Sequence, residues 1–227
     1  MQLTELPTPQ VLIDRDRLMA NIKRMQTVAT SGGLTLRPHT KTHKSPRIAK
    51  WQLEQGAAGI CCAKVSEAEV FADAGISDIR LPYPINPFSA TRVMALMDRV
   101  KLSLAIDHPT VAEQWSEAMC AYDRQLDVLV KVDVGYQRCG IAPEMTQAVA
   151  FLSHVTTLPG LRLRGLLSHA GQCYDVGSAE ELAAVAKDEA ETLRTLADGA
   201  RQAEVKIDEI SVGSTATAML SASEPDL

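Results

Sequence analysis

The sequence contains no Cys-X-X-Cys pair, so the commonest cysteine pattern of a zinc site is missing. Its five cysteines are an odd number, which suits free thiols in a reducing cytoplasm better than a disulfide framework. Cys61 and Cys62 are adjacent in a strand-like run and are expected to be buried thiols. Positive charge is not in excess either. A net charge of −5 argues against general affinity for nucleic acid or for a membrane surface, so any basic cluster is local. No apolar run is long enough to span a bilayer. The opening Met1-Gln2-Leu3-Thr4-Glu5-Leu6-Pro7 lacks the paired basic and apolar regions of a signal peptide, and a cytoplasmic location is expected. The Gly-X-Gly-X-X-Gly fingerprint of a dinucleotide-binding sheet is also absent.

What is present is ordinary for a globular domain: 46% hydrophobic and 22% charged residues in 227 positions. That length suits one sizeable unit over 1–227. The conspicuous stretch is Arg37-Pro38-His39-Thr40-Lys41-Thr42-His43-Lys44. Leu34-Thr35-Leu36 before it reads as a short strand, and Ser45-Pro46 after it as a helix start. Crowded cations lower one another's pKa, and a lysine in such a field is suited to attack a carbonyl as a neutral amine. The plainer alternative is a solvated basic loop that binds anions.

Helical periodicity and turn residues divide the chain into alternating elements. Asp14 caps a helix over 14–29, and further helices are expected over 46–55, 66–74, 87–99, 109–122, 143–155 and 179–204. Ser66 with Glu69 reads as a capping box. Strands are expected over 34–36, 58–63, 79–81, 102–106, 128–134, 161–168 and 207–212. Such alternation leaves an open doubly wound sheet or a (β/α)8 barrel, and the missing fingerprint favours the barrel. Too little chain follows residue 212 for another strand, so the TIM-type barrel is expected to be incomplete.

In a barrel the chemistry gathers where strands end. Lys41 follows the first expected strand, and Arg138 lies in the loop after 128–134. His169 and Tyr174 follow 161–168, and Gly213-Ser214-Thr215 follows the last strand. Each alone has a bland reading: structural histidine, surface arginine, helix cap. Together they supply an amine, fixed positive charge and a hydroxyl-rich anion cradle, the set that pyridoxal 5′-phosphate (PLP) requires.

The motifs Arg37–Lys44, Val132-Asp-Val-Gly-Tyr-Gln-Arg-Cys-Gly140, Ser168-His-Ala-Gly171 with Tyr174, and Ser211-Val-Gly-Ser-Thr215 carry a resemblance. Over about 8–214 the chain resembles PLP enzymes with an alanine-racemase-like barrel, specifically the D-threonine aldolase and D-serine dehydratase group. The resemblance implies that Lys41 forms the Schiff base and serves as Cα base. It implies that Arg138 lies near the ring hydroxyl, His169 beside the ring, Tyr174 in the active site, and Gly213, Ser214 and Thr215 around the phosphate. Catalysis would rest on Lys41 and His169, with a small D-amino acid as substrate and a homodimer as assembly.

Gln172 and Ala216 depart from the residues common in relatives, which have histidine and proline there. The family continues into the rest of the barrel and a β-rich C-terminal domain that binds a divalent metal, zinc or manganese. Those ligands are absent here, so a non-catalytic PLP-binding barrel is the alternative to a β-hydroxy-D-amino acid lyase. A metal hydrolase using His39, His43 and His169 is a third reading. Its i, i+4 pair would need a helix, and Pro38 puts it in a turn. Lys44 is the rival amine, while His108 and His154 read as structural.

Overall fold

Strand and helix alternate through residues 3–223, which the computed structural model describes. β1 Ile60–Cys61, β2 Asp78–Pro84, β3 Lys101–Ile106, β4 Leu126–Lys131, β5 Leu161–Leu167 and β6 Glu209–Ser211 form one six-stranded sheet. The strands lie in sequence order, and every neighbouring pair is parallel. A doubly wound sheet reverses its order at a switch point, and this one does not. Crossovers of a single hand then put the helices on one side, and the sheet curls. Side chains report the curl: Arg80 on β2 donates from Nη2 to Glu209 Oε1 on β6 at 2.6 Å, with three strands between them in the sheet. The architecture is a curled, six-stranded parallel half-barrel.

The core follows from the apolar strands. β4 is buried along its whole length, and Leu104, Leu126, Val128, Leu129 and Val130 have no exposed surface. Helices cover these strands: α1 Arg15–Ser31, α2 Pro46–Glu54, α3 Val65–Asp73, α4 Ala90–Met97, α5 Pro109–Cys120, α6 Met145–Thr157 and α7 Ala179–Gln202. Asp14 caps α1 by accepting from Arg17 N at 3.0 Å, and Ser45 with Pro46 opens α2 as expected. Trp115 on α5 is fully buried and donates Nε1–H to the Ile85 carbonyl at 2.9 Å.

Three expectations are corrected. The 34–36 run is not a strand. It follows β1 through Ala58 N to Leu36 O, Cys61 N to Pro38 O and one parallel bridge at His39, but Pro38 has no N–H to continue the ladder. Six strands therefore replace the seven expected. The Ser66–Glu69 capping box does not form, because α3 starts at Val65 with Lys64 as N-cap. Glu67 instead accepts from Ala63 N at 2.9 Å, and Glu69 is held by Arg92. The helix expected over 87–99 opens with a 3-10 turn, Pro87–Ser89, before α4. After β6 comes a short helix, α8 Ala218–Ser221, and no further strand among the described residues. Residues 1–2 of the opening and 224–227 of the tail lie outside the described residues.

Candidate active site

Lys41 lies in a 3-10 turn, Thr40–Thr42, fastened at its buried centre. Thr40 has no exposed surface and donates Oγ1–H to the Cys61 carbonyl at 3.0 Å. His39 opens the turn: its Nδ1 accepts from Lys41 N at 3.1 Å, so the ring proton sits on Nε2. Burial, then the charge of Lys41, holds the His39 pKa down at about 4. His43 closes the turn, with Nδ1 accepting from Ser45 N at 3.0 Å. Its Nε2 and Gln52 Oε1 are both buried without a hydrogen bond of good geometry. Lys44 sits at φ 49 and pairs with Glu67. Lys41 has no salt bridge among the described residues.

The loop after β4 carries Arg138 and is built to hold its shape. Asp133 Oδ1 accepts from the N–H groups of Gly135 and Gln137, both at 3.0 Å. Gly140 N donates to Asp107 Oδ2 at 2.9 Å. A Cβ on Gly140, which sits at φ 117, would stand 2.5 Å from Asp133 N, so the loop closes only over glycine. Arg138 is exposed and lies over two rings, Tyr136 at 5.1 Å and Tyr83 at 5.8 Å.

His169 follows β5. Its Nδ1 lies 3.2 Å from the Gly213 carbonyl and donates to it, and its ring meets Tyr136 edge-on at 6.0 Å. Burial lowers its pKa, with the charges of Lys131, Lys41 and Arg138 acting in the same direction. The expected site residues thus converge at one rim, where parallel strands end. Tyr174 borders it at 62% exposure. Of the expected phosphate cradle, Gly213 N reaches Glu189 Oε1 at 3.4 Å. Ser214 N donates to Thr217 Oγ1 at 3.1 Å, and its hydroxyl lies 3.0 Å from both Cys173 Sγ and Thr217 Oγ1. Thr215 is exposed.

Two residues that the sequence reading passed over belong to this rim. Lys131, at the end of β4, is 3% exposed, and burial pushes its pKa down to about 8. Its signal was legible, since it is the cation inside an otherwise buried strand. Glu189 on α7 is 1% exposed, with its pKa raised by burial. It hides among neighbouring acids, but it falls on the buried stripe of Ala186, Ala190 and Leu193. Among the described residues, no three His, Cys, Asp or Glu side chains converge as a metal-binding group. No described helix is long and apolar enough to cross a membrane. Cys61 and Cys62 are buried free thiols as expected, pushed up by burial to about 11 and about 12.

Residues 13–227 match the family model described as alanine racemase, N-terminal domain. The chain belongs to this family. Within it, the chain is 36% identical to a D-threonine aldolase from Arthrobacter sp over 217 residues, covering 95% of this chain and 57% of that protein. The crystal structure of D-threonine aldolase from Filomicrobium marinum superposes with a TM-score of 0.91 at 31% identity, covering 97% of this chain and 60% of that one. D-threo-3-hydroxyaspartate dehydratase from Delftia sp. HT23 gives a TM-score of 0.92 at 33% identity, covering 98% and 59%. The chain therefore spans little more than half the length of the relatives it matches.

Proposed function

We propose that this chain is the PLP-binding barrel of a lyase acting on β-hydroxy-D-amino acids. The reaction is retro-aldol cleavage to glycine and an aldehyde, or dehydration of the D-serine dehydratase type. The observation that carries this reading is the contrast between two lysines of one turn. Lys44 is tied to Glu67, whereas Lys41 is unpaired among the described residues and acts electrostatically on His39 and His169. The names of the similar proteins support the substrate class.

The residues present suit the cofactor. Lys41, Lys131 and Arg138 share one rim and have no salt-bridge partner among the described residues, so a phosphate and a carboxylate would meet uncompensated positive charge. Space is open beside Gly213, where a Cβ would meet nothing within 4 Å. When bound, PLP supplies an aldehyde for an amine to condense with and a ring that takes up the electron pair left at Cα. Lys41 would provide that amine and a base at Cα. Arg138 would orient the ring oxygen, and Thr215 with the Ser214 hydroxyl would hold the phosphate, while Gly213, with its N–H turned to Glu189 and its carbonyl to His169, leaves room beside it. His169 would lie beside the ring. Because Nδ1–H is committed to Gly213, its Nε2 keeps a lone pair able to accept a proton. Tyr174 guards the mouth. Among the described residues, no group of three His, Cys, Asp or Glu side chains fits a divalent metal.

A second reading is a PLP-binding barrel without turnover of its own. On either reading the sheet edge beyond β6 has no strand beside it among the described residues, and pairing of two copies there would give a homodimer.

The test is the visible spectrum of the purified chain with added PLP, beside Lys41→Ala and Lys44→Ala. A band that borohydride removes, lost in Lys41→Ala and kept in Lys44→Ala, is the expected result. Loss in Lys44→Ala alone, or no band from the folded parent, overturns the assignment. Assays on D-threonine and D-serine then separate the two readings.

A further inference from the structure

Glu189 is the most buried carboxyl among the described residues, on a helix stripe otherwise lined by alanine and leucine. A carboxyl there is costly unless it is used. Its Oε1 accepts three donors: Ser168 Oγ at 2.6 Å, Ala170 N at 3.1 Å and Gly213 N at 3.4 Å. Its Oε2 is buried without a partner. Ser168 and Ala170 flank His169 in the chain. Gly213 is the residue whose carbonyl takes the His169 Nδ1–H. One oxygen therefore fastens both sides of the contact that aims the His169 ring.

We infer that Glu189 is a positioning residue: through Oε1 it holds the loops after β5 and β6 in the register that fixes the His169 ring on Gly213. Groups aimed at a reacting centre are commonly locked by a second layer of hydrogen bonds, and a loss of register weakens the site without removing any contacting residue. The inference rests on the proposed PLP reading only for its cofactor readout. The charges that face His169 are those of Lys41, Lys131 and Arg138, with His39 nearby. Lys131 also feels Glu189, and because alanine and glutamine remove the same charge, comparing the two variants holds that effect equal.

The experiment compares the parent with Glu189→Ala and Glu189→Gln. The His169 ring is titrated by NMR in the chain alone, with its signal identified from His169→Gln, and PLP affinity is measured separately. Alanine removes the acceptor, so the loops part, water reaches the ring, and its titration moves up toward the ordinary histidine range. PLP affinity falls at least tenfold. Glutamine keeps a carbonyl oxygen for the three donors and restores both quantities to within about twofold of the parent. A role in stability alone would lower the melting temperature and leave the His169 titration where it was. An unchanged titration in folded Glu189→Ala overturns the inference, as does a glutamine variant as impaired as alanine. Should Glu189→Ala not fold, Ser168→Ala removes one donor: a smaller upward shift supports the inference, and none overturns it. If the parent binds no PLP, the functional reading fails while the titration still decides the role of Glu189.

Discussion

Arg80 Nη2 and Glu209 Oε1 meet at 2.6 Å across the interior of the curled sheet, joining β2 to β6. Ser103 Oγ accepts a second bond from Arg80 Nε at 3.1 Å. The pair fixes how tightly the sheet curls. It also leaves a buried guanidinium dependent on one carboxylate.

Removing that carboxylate is expected to be costly. Fully buried pairs lose roughly 3–5 kcal/mol when one partner is deleted. The Glu209 side chain is 39% exposed, so Glu209→Ala should cost about 2 kcal/mol. Urea denaturation measures this. The double variant Arg80→Met/Glu209→Ala should recover most of the loss, because no buried charge is stranded.

His39 should make stability fall in mild acid. Its folded pKa of about 4 lies below the ordinary 6.5, so below pH 6.5 the unfolded chain binds a proton that the folded chain refuses. The contribution is complete above 6.5 and is lost as the pH falls through 4. The whole shift corresponds to roughly 3 kcal/mol, reduced by solvent screening of a partly exposed ring to about 1–2 kcal/mol. Urea melts at pH 7 and pH 4 should differ by this amount. His39→Asn, which still offers an acceptor to Lys41 N–H, should be flatter.

Lys131 should act in the opposite sense to an ordinary ion-paired lysine. Its folded pKa of about 8 is below the ordinary 10.5, so the cost of burying the charge is full below 8 and vanishes above 10.5. Lys131→Met should therefore stabilise the fold at pH 7 by about 2–3 kcal/mol. The gain should shrink as pH approaches 10. The same variant should bind PLP more weakly, since the rim loses a cation. A gain that persists at pH 10 would point to packing alone.

Gly171→Ala tests the ring beside His169. A Cβ there would stand 2.5 Å from the Tyr136 ring, which is 40% exposed and free to swing outward. Stability should change by less than about 1 kcal/mol. The Tyr136 contacts with His169 and Arg138 should be lost, and PLP affinity should fall several-fold. Equilibrium fluorescence titration of the two proteins with PLP distinguishes this from no change.

The alternation of elements and the strand-end positions of Arg138, His169 and Gly213 were legible because hydrophobic period and turn residues are local properties, whereas the strand expected before Lys41 does not form. The short helix α8 carried no strong period. Ser66 was misread because the helix starts one residue earlier, at Val65, where Glu67 accepts from Ala63 N, and Glu69 is taken by Arg92. The shallow pairing of 34–39 with β1 depended on a single missing N–H at Pro38. Lys131 and Glu189 are contributed by a buried strand and a long acidic helix. Their relation to His169 exists only after the sheet has curled, and no spacing in the chain encodes it.

Thr40, anchored to β1, with His39 Nδ1 accepting from Lys41 N and the His43 N–H donating back to the Thr40 carbonyl, makes the base of Lys41 a fixed mast. Only the four-carbon stem above it is free to swing. The amine then explores the rim at the speed of side-chain rotation, picoseconds to nanoseconds, and not at the pace of loop opening. On the proposed reading, meeting an aldehyde becomes a matter of waiting for the ligand and not for the backbone.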